Sequence, residues 1–345
     1  MKRLKIEELF AAKPWSRTFP GLGGSWEGAA WCALHLSRIG RFDINDEFIS
    51  LLRKNLTTYR YPSVQCVGIW NGVGGNLRLA DLAAELDSSF DALIPLQLKR
   101  IETTKQKRIY NDYYGGFPSL LMGLAGMRRK SFPKKLLMEC FNETTQALKI
   151  NVNSKKPVYI GVSHGLAGLL MAAEVGGEVF SLRFDRRLLD QAFDRIMENQ
   201  ISLEKGGALW LPRTGDTMES AGHLMRNSFC HGAAGIALAL HTCHVVSGKN
   251  KYKKSAESAI KGSLELGNSI VSFCCGTSGQ RQILIEMYRQ NGQKKWLNIA
   301  RKMNSAKTDI KPGLLTGHLG DVYLEERLRA PGRLPLPTFE WFPVR

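Results

Sequence analysis

Residues 272–279 read SFCCGTSG, two cysteines directly ahead of a G-x-x-G. The same spacing recurs as GLGG (21–24), GVGG (72–75), GLAG (165–168), GAAG (232–235) and GHLG (317–320), with a degenerate GFPS at 116–119. The first glycines stand at 21, 72, 116, 165, 232, 276 and 317, so the intervals are 51, 44, 49, 67, 44 and 41 residues. An interval of that size accommodates two helices and their connections, which makes this a seven-fold helical repeat.

The flanking sequence gives each repeat its parts. After the motif the chain turns apolar and helix-forming, as in LLMAAEV from 169, IALALHTC from 236 and LLMGLAGM from 120. Ahead of several motifs lies an amphipathic stretch. In RRLLDQAFDRIME (186–198), Leu188, Leu189, Ala192, Phe193, Ile196 and Met197 follow the helical three-and-four spacing. The pattern predicts an outer amphipathic helix, a loop, and an inner apolar helix entered through glycines, where a missing Cβ lets backbones approach closely. Strand signals are scarce, and GGALWLPR (206–213), in the longest interval, is the best hairpin candidate. An inner helix apolar on all sides must be buried. Seven of them inside seven amphipathic ones imply an all-α, α/α toroid in a single domain over residues 1–345. An open solenoid is the alternative, but it would need polar capping repeats, and none is evident.

Composition sets further bounds. No stretch reaches the ~18 uninterrupted apolar residues of a membrane-spanning helix. The beginning, MKRLKIEELFAAKPW, lacks the apolar core and cleavage site of a secretory signal, so the protein reads as cytoplasmic. Seven cysteines in a Lys/Arg-rich chain suit free or metal-bound thiols better than a disulfide framework. The net charge of +17 is scattered and matches no nucleic-acid module, leaving either a solvated basic surface or an acidic partner.

In a ring, all the glycine turns can face one mouth, so the residues before each motif converge there. Counting back from the first glycine, the sixth repeat places Cys274 at −2 and Cys275 at −1. The fifth places Cys230 at −2, His231 at −1 and Arg226 at −6; the fourth has His164 at −1, and the third Asp112 at −4. Three thiols from two adjacent turns can hold one Zn²⁺ with its fourth position open, as catalytic zinc is held. His231 is a rival ligand. Cys32, Cys140 and Cys243 lie in apolar helical runs and read as core, whereas Cys66 lies outside the aligned positions. His223 and His318 fall near the rim without an assigned role.

Three thiolates leave zinc with a net negative charge. That makes it a poor activator of water and a good holder of a nucleophilic substrate thiolate. The inferred chemistry is attack of sulfur on an electrophilic carbon. If the electrophile is an α,β-unsaturated amide, His164 can protonate the enolate, with Asp112 orienting the imidazole and Arg226 supporting Asp112 or the enolate oxygen. Asp112 could equally cap a helix, and Arg226 could form a rim ion pair.

The ordered set D-x-x-x-G (Asp112), HGLAG (His164), R-x-x-x-C-H-G (Arg226, Cys230, His231) and C-C-G (Cys274, Cys275) resembles lanthionine synthetase C-like cyclases over essentially the whole chain. The resemblance implies a seven-fold α/α toroid with one zinc ion at one end, held by Cys230, Cys274 and Cys275. It further implies His164 and Asp112 as the acid/base pair and Arg226 as the supporting cation. The activity implied is addition of peptide cysteine thiols to dehydroalanine or dehydrobutyrine, which forms (methyl)lanthionine rings. Two departures stand out. Many members carry Cys-His where this chain has Cys274-Cys275, and a Tyr commonly follows the first zinc cysteine where this chain has His231, a candidate second proton donor. The expected partners are a dehydrated precursor peptide with an acidic leader, and a separate dehydratase, with no nucleic acid. A zinc-containing adaptor without activity, and zinc-dependent thiol addition between molecules, are the competing readings.

Overall fold

The computed structural model describes residues 22–23, 26–58, 66–104, 111–128, 132–219, 227–267, 272–303, 313–315 and 317–340. Arg226 and His223 lie outside them, as do Gly21 and Gly24. Among the described residues the chain forms thirteen α-helices and one short antiparallel hairpin.

The odd-numbered helices form the inner layer. They are α1 (Trp26–Ser37), α3 (Gly74–Ala83), α5 (Phe117–Ala125), α7 (Leu166–Phe180), α9 (Ala233–Ser247), α11 (Thr277–Asn291) and α13 (His318–Arg329). Each packs on the next, and α13 packs back on α1, so the layer closes into a ring. Outside it lie α2 (Asp46–Thr58), α4 (Ile94–Thr103), α6 (Lys134–Asn153), α8 (Arg186–Glu198), α10 (Asn250–Leu266) and α12 (Lys294–Lys302). The seventh outer helix that the repeat predicts would precede the first motif, outside the described residues. Strand β1 (Gln200–Ser202) pairs with β2 (Ala208–Trp210) in the longest interval, as the sequence suggested.

Burial follows the predicted pattern with departures in the inner layer. In α8, Leu188, Leu189, Ala192, Phe193 and Ile196 are buried, and in α9 every residue from Ala233 to Cys243 is. Charged residues are buried in α3, Arg78 and Asp81, and in α13, Glu326 and Arg327. The clearest departure is α11, TSGQRQILIEMYRQN, a polar sequence that is nonetheless buried on nearly all sides. Its polar groups are answered inside the ring. Gln280 donates to Ser263 O, Gln282 to Gly320 O, and Glu286 pairs with Arg289 and Arg327.

Much of that answer comes from the C-terminal segment 334–340. Leu334, Leu336, Thr338 and Phe339 are buried. Leu336 N donates to Glu286, Arg289 donates to Phe339 O, and Tyr113 bonds Thr338. Trp31 and Arg78 both donate to Glu340. Contacts with helices on several sides of the ring place this segment along its interior. Nearer the turns, Trp70, Phe229 and Phe273, from three different repeats, pack their rings 5.1–6.1 Å apart.

In the fourth to seventh motifs the final glycine is required for space rather than for backbone angle. A Cβ on Gly168 would stand 1.9 Å from Val162 O, on Gly235 1.8 Å from Phe229 O, and on Gly279 1.9 Å from Phe273 O. The same contact corrects the first repeat. There the equivalent glycine is Gly28, whose Cβ would meet Leu22 O at 2.4 Å, so the working motif is SWEG (25–28) rather than GLGG (21–24).

A continuous belt of backbone hydrogen bonds joins the turns at the rim. Gly23 N donates to Trp70 O, Asn71 N to Tyr114 O, Tyr114 N to Ser163 O, and Ser163 N to Cys230 O. Phe229 N then donates to Cys274 O, Cys274 N to Leu315 O, and Leu315 N returns to Gly23 O, all within 2.8–3.1 Å. Extended turns have no helical partners of their own, and the belt satisfies them by linking each repeat to the next. Net, each bond is worth about 1 kcal/mol, and together they hold seven turns in register around one mouth.

Candidate metal centre

Cys230, Cys274 and Cys275 converge at this rim, their sulfurs all within 4.8 Å of one another. Cys230 precedes α9 and the Cys274–Cys275 pair precedes α11, adjacent helices in the ring. Sulfur-to-sulfur separation between Cys230 and Cys274 is 3.3 Å. Tetrahedral coordination at Zn–S bonds of about 2.3 Å puts ligand sulfurs ~3.8 Å apart, so the cluster matches a thiophilic ion with small adjustment. The thiols are also electrostatically coupled. Hydrogen bonds from Cys274 and Cys275 hold the Cys230 thiol far below its usual range. In return Cys274 is driven upward, chiefly by its bond with Cys230, and Cys275 is pushed up to about 11 by the same partner. The cluster thus yields its first proton readily, which favours metal binding at neutral pH.

The turns are built alike. Ser228, four residues before Gly232, accepts from His231 N at 3.0 Å through its side chain and from Gly232 N through its carbonyl. Ser272, four before Gly276, does the same for Cys275 N and Gly276 N. Asp112 occupies the identical place before Gly116, where its Oδ1 accepts from Tyr114 N and Gly115 N at 2.9 Å. Its other oxygen, Oδ2, lies 2.7 Å from His164 Nδ1. Asp112 therefore braces the turn ahead of α5 with one oxygen and meets His164 with the other. It does not cap the helix itself, whose N-cap Gly116 has no side-chain cap bond.

His164 is placed to hold a proton. Burial pushes its pKa down, but the Asp112 hydrogen bond and charge, with the Cys230 charge behind them, carry it above the usual imidazole range. His231 is not among the three residues of the sulfur cluster. It lies 5.4 Å from the His164 ring and 5.2 Å from that of Tyr159, and its Nδ1 is buried with no partner among the described residues. Burial holds it below the usual range, against the opposing pull of Cys230. Gly161 makes this packing possible, since a Cβ there would stand 2.4 Å from His231 Cα. His318 is the first residue of α13 and half-buried.

Two aromatic side chains that the sequence reading passed over complete the mouth. Tyr114 meets His164 edge-on at 5.5 Å. Burial first, then the charges of Cys274 and Cys230, push its phenol up to about 12. Tyr159 is held at the rim by its backbone bridge to Arg213, and the Arg213 guanidinium lies 5.9 Å from the ring centre. Tyr114 stands at −2 in the third repeat, the position of Cys230 and Cys274 in theirs, so the repeat alignment already marked the position. Cys32, Cys140 and Cys243 are fully buried, as core cysteines should be.

A closed ring of seven inner helices, flanked by six outer ones among the described residues and carrying a three-sulfur cluster at one rim, defines a class of protein, and comparison agrees. Residues 27–341 match the family described as "Lanthionine synthetase C-like protein", and the chain belongs to it. Among solved structures it is similar to "Nisin cyclase", with a TM-score of 0.71 at 17% identity, covering 95% of this chain and 92% of that one.

Proposed function

We propose that the protein is a zinc-dependent peptide cyclase that adds cysteine thiols to dehydroalanine or dehydrobutyrine within one peptide, forming lanthionine or methyllanthionine. The observation that carries this reading is the juxtaposition of three convergent sulfurs with a His164–Asp112 pair across one mouth. When bound through Cys230, Cys274 and Cys275, zinc would supply a thiophilic Lewis acid that favours deprotonation of an arriving thiol.

The remaining chemistry falls to the chain's own residues. As sulfur bonds to the β-carbon, the carbon–carbon π pair shifts toward the amide oxygen, and the α-carbon must then take a proton. His164 delivers it: the proton given up by the thiol is returned to carbon, so the addition is balanced without a further reactant. Asp112 fixes the tautomer through Nδ1, leaving Nε2 to carry the transferred proton. Its own orientation is locked by the two turn amides. Arg226 is proposed as the cation supporting Asp112 or the amide oxygen. His231 is proposed to shape the pocket between Tyr159 and His164 and to serve as a second proton donor.

The unsaturated peptide would be supplied by a separate dehydratase, and a net charge of +17 suits an acidic leader. Peptide affinity should then fall steeply with added salt; a flat response would remove the electrostatic part of the proposal. The decisive experiment incubates zinc-loaded protein with a dehydrated precursor. Loss of free thiol at unchanged mass is the expected result. A mass increase from an added thiol would indicate addition between molecules, and an unaltered peptide would favour an adaptor.

A further inference from the structure

An addition of this kind places negative charge on the amide oxygen of the unsaturated residue, and that charge needs a hydrogen-bond donor already in position. Among the described polar groups of the mouth, Asp112 is fully committed. Both oxygens of Asp112 are used, one by two turn amides and the other by His164. Tyr159 is exposed at the rim, 39% as a residue, with its ring against His231 and near the Arg213 guanidinium. Tyr114 differs. Its backbone is fixed on both sides by the rim belt, its amide donating to Ser163 O and its carbonyl accepting from Asn71 N. Its ring is set against His164, yet its hydroxyl has no hydrogen-bond partner among the described residues. The hydroxyl reaches over Gly23, where a Cβ would stand only 3.2 Å from it, so the glycine keeps that space open. The phenol also keeps its proton throughout the neutral range, as a donor must.

We propose that Tyr114 is a catalytic residue whose hydroxyl donates a hydrogen bond to the amide oxygen of the unsaturated residue as sulfur adds to the β-carbon. The assignment rests on the cyclase reading. The electron pair leaving the carbon–carbon double bond gathers on that oxygen while Tyr114 retains its proton. Reprotonation at the α-carbon remains with His164. Three turns then divide the work from equivalent places, since Tyr114 occupies the −2 position in its repeat as Cys230 and Cys274 do in theirs.

The test compares wild type with Tyr114→Phe on synthetic peptides in which one dehydroalanine and one cysteine stand at varied spacing. Bound zinc and thermal melting are measured alongside. The expected result is a fall in kcat of about 10²–10³-fold, with KM within about twofold and zinc stoichiometry unchanged. A kcat within about twofold of wild type overturns the assignment while leaving the cyclase reading intact. A raised KM at unchanged kcat does the same, because it marks a packing wall. A wild type that cyclises none of the peptides overturns both. Should Tyr114→Phe fail to fold, 3-fluorotyrosine at position 114 keeps the shape and strengthens the donor. It should raise kcat, and an unchanged kcat there would also defeat the assignment.

Discussion

The two halves of the ring interior both collect polar side chains, and they dispose of them differently. Around the C-terminal segment, Glu286 has both oxygens engaged, one by Arg289 and the other by Arg327 and Leu336 N. Arg78 bridges Asp81 and Glu340 in the same region. At the rim, three sulfurs face one another without a covalent link, and the Tyr114 hydroxyl has no partner among the described residues. Charged groups that answer one another inside an apolar ring hold structure together. Donors and acceptors that converge without exhausting their capacity are available to a ligand. Burial and charge are common to both regions, and buried oxygens without a partner among the described residues, Asp81 Oδ1 and Glu340 Oε2, occur around the segment too. What separates site from scaffold is therefore the kind of group that converges, three thiols beside an imidazole–carboxylate pair.

The sharpest way to break the comparison is at the sulfurs. Cys230→Ala should leave a folded ring that no longer retains stoichiometric zinc, because two thiols from a single turn are a poor substitute for three from two. Metal analysis of the purified variant beside wild type reads this directly. A variant that keeps one tightly held ion would show that the cluster is not the metal site. The expected effect is essentially complete.

Next comes the opposite half. Glu286→Ala leaves Arg289 and Arg327 without their buried carboxylate and Leu336 N without its acceptor. Breaking a buried network from one side costs about 3–5 kcal/mol. Urea denaturation should show that loss, while zinc affinity measured in native conditions stays near wild type. If zinc affinity fell in step with stability, the two regions would be one coupled unit.

Asp112→Asn tests the rim again, at smaller amplitude. The amide oxygen can still serve the turn, but the group facing His164 Nδ1 becomes a donor and no longer a carboxylate. Asp112 raises the His164 pKa against burial, so its loss lowers that pKa. At any given pH less imidazolium remains, and the decline of activity toward alkaline pH should begin at lower pH than in wild type. Cyclisation should slow by about 10²–10⁴-fold with zinc retained. A pH profile that keeps its alkaline limb in place would remove His164 from the proton-transfer role.

The contrast between the two halves also explains what could be read from the sequence. The repeat made the rim legible, because a ring of equivalent turns converts positions far apart in the chain into neighbours. Cys230, Cys274, Cys275, His164 and Asp112 were all found by counting back from glycines. Tyr114 stands at the same −2 position, but a phenol there carries no metal-ligand or acid/base signal that separates it from an ordinary rim aromatic. The first repeat was misaligned because GLGG matches the pattern better than SWEG, although only close packing on Leu22 O identifies the working glycine. The network around the C-terminal segment gave no signal at all. Glu286 and Arg289 look like exposed helix charges, and their partners at 327, 336 and 339 follow no period.

The smallest expected effect concerns the serines that shape the sulfur-bearing turns. Ser228 Oγ accepts from His231 N at 3.0 Å and lies 3.5 Å from Cys230 Sγ, whereas Ser272 Oγ accepts only a longer bond, 3.3 Å, from Cys275 N. Ser228→Ala therefore removes a turn cap and a neighbour of the sulfur together, and Ser272→Ala removes the weaker cap. Loss of a capping hydroxyl costs about 1 kcal/mol. Groups that orient metal ligands typically change affinity about 10–100-fold. Competition with a zinc chelator should rank the proteins wild type, Ser272→Ala, Ser228→Ala in falling affinity. Equal affinity for all three would mean that the belt of backbone bonds through Cys230 O, Cys274 N and Cys274 O fixes the ligands without help from the serines.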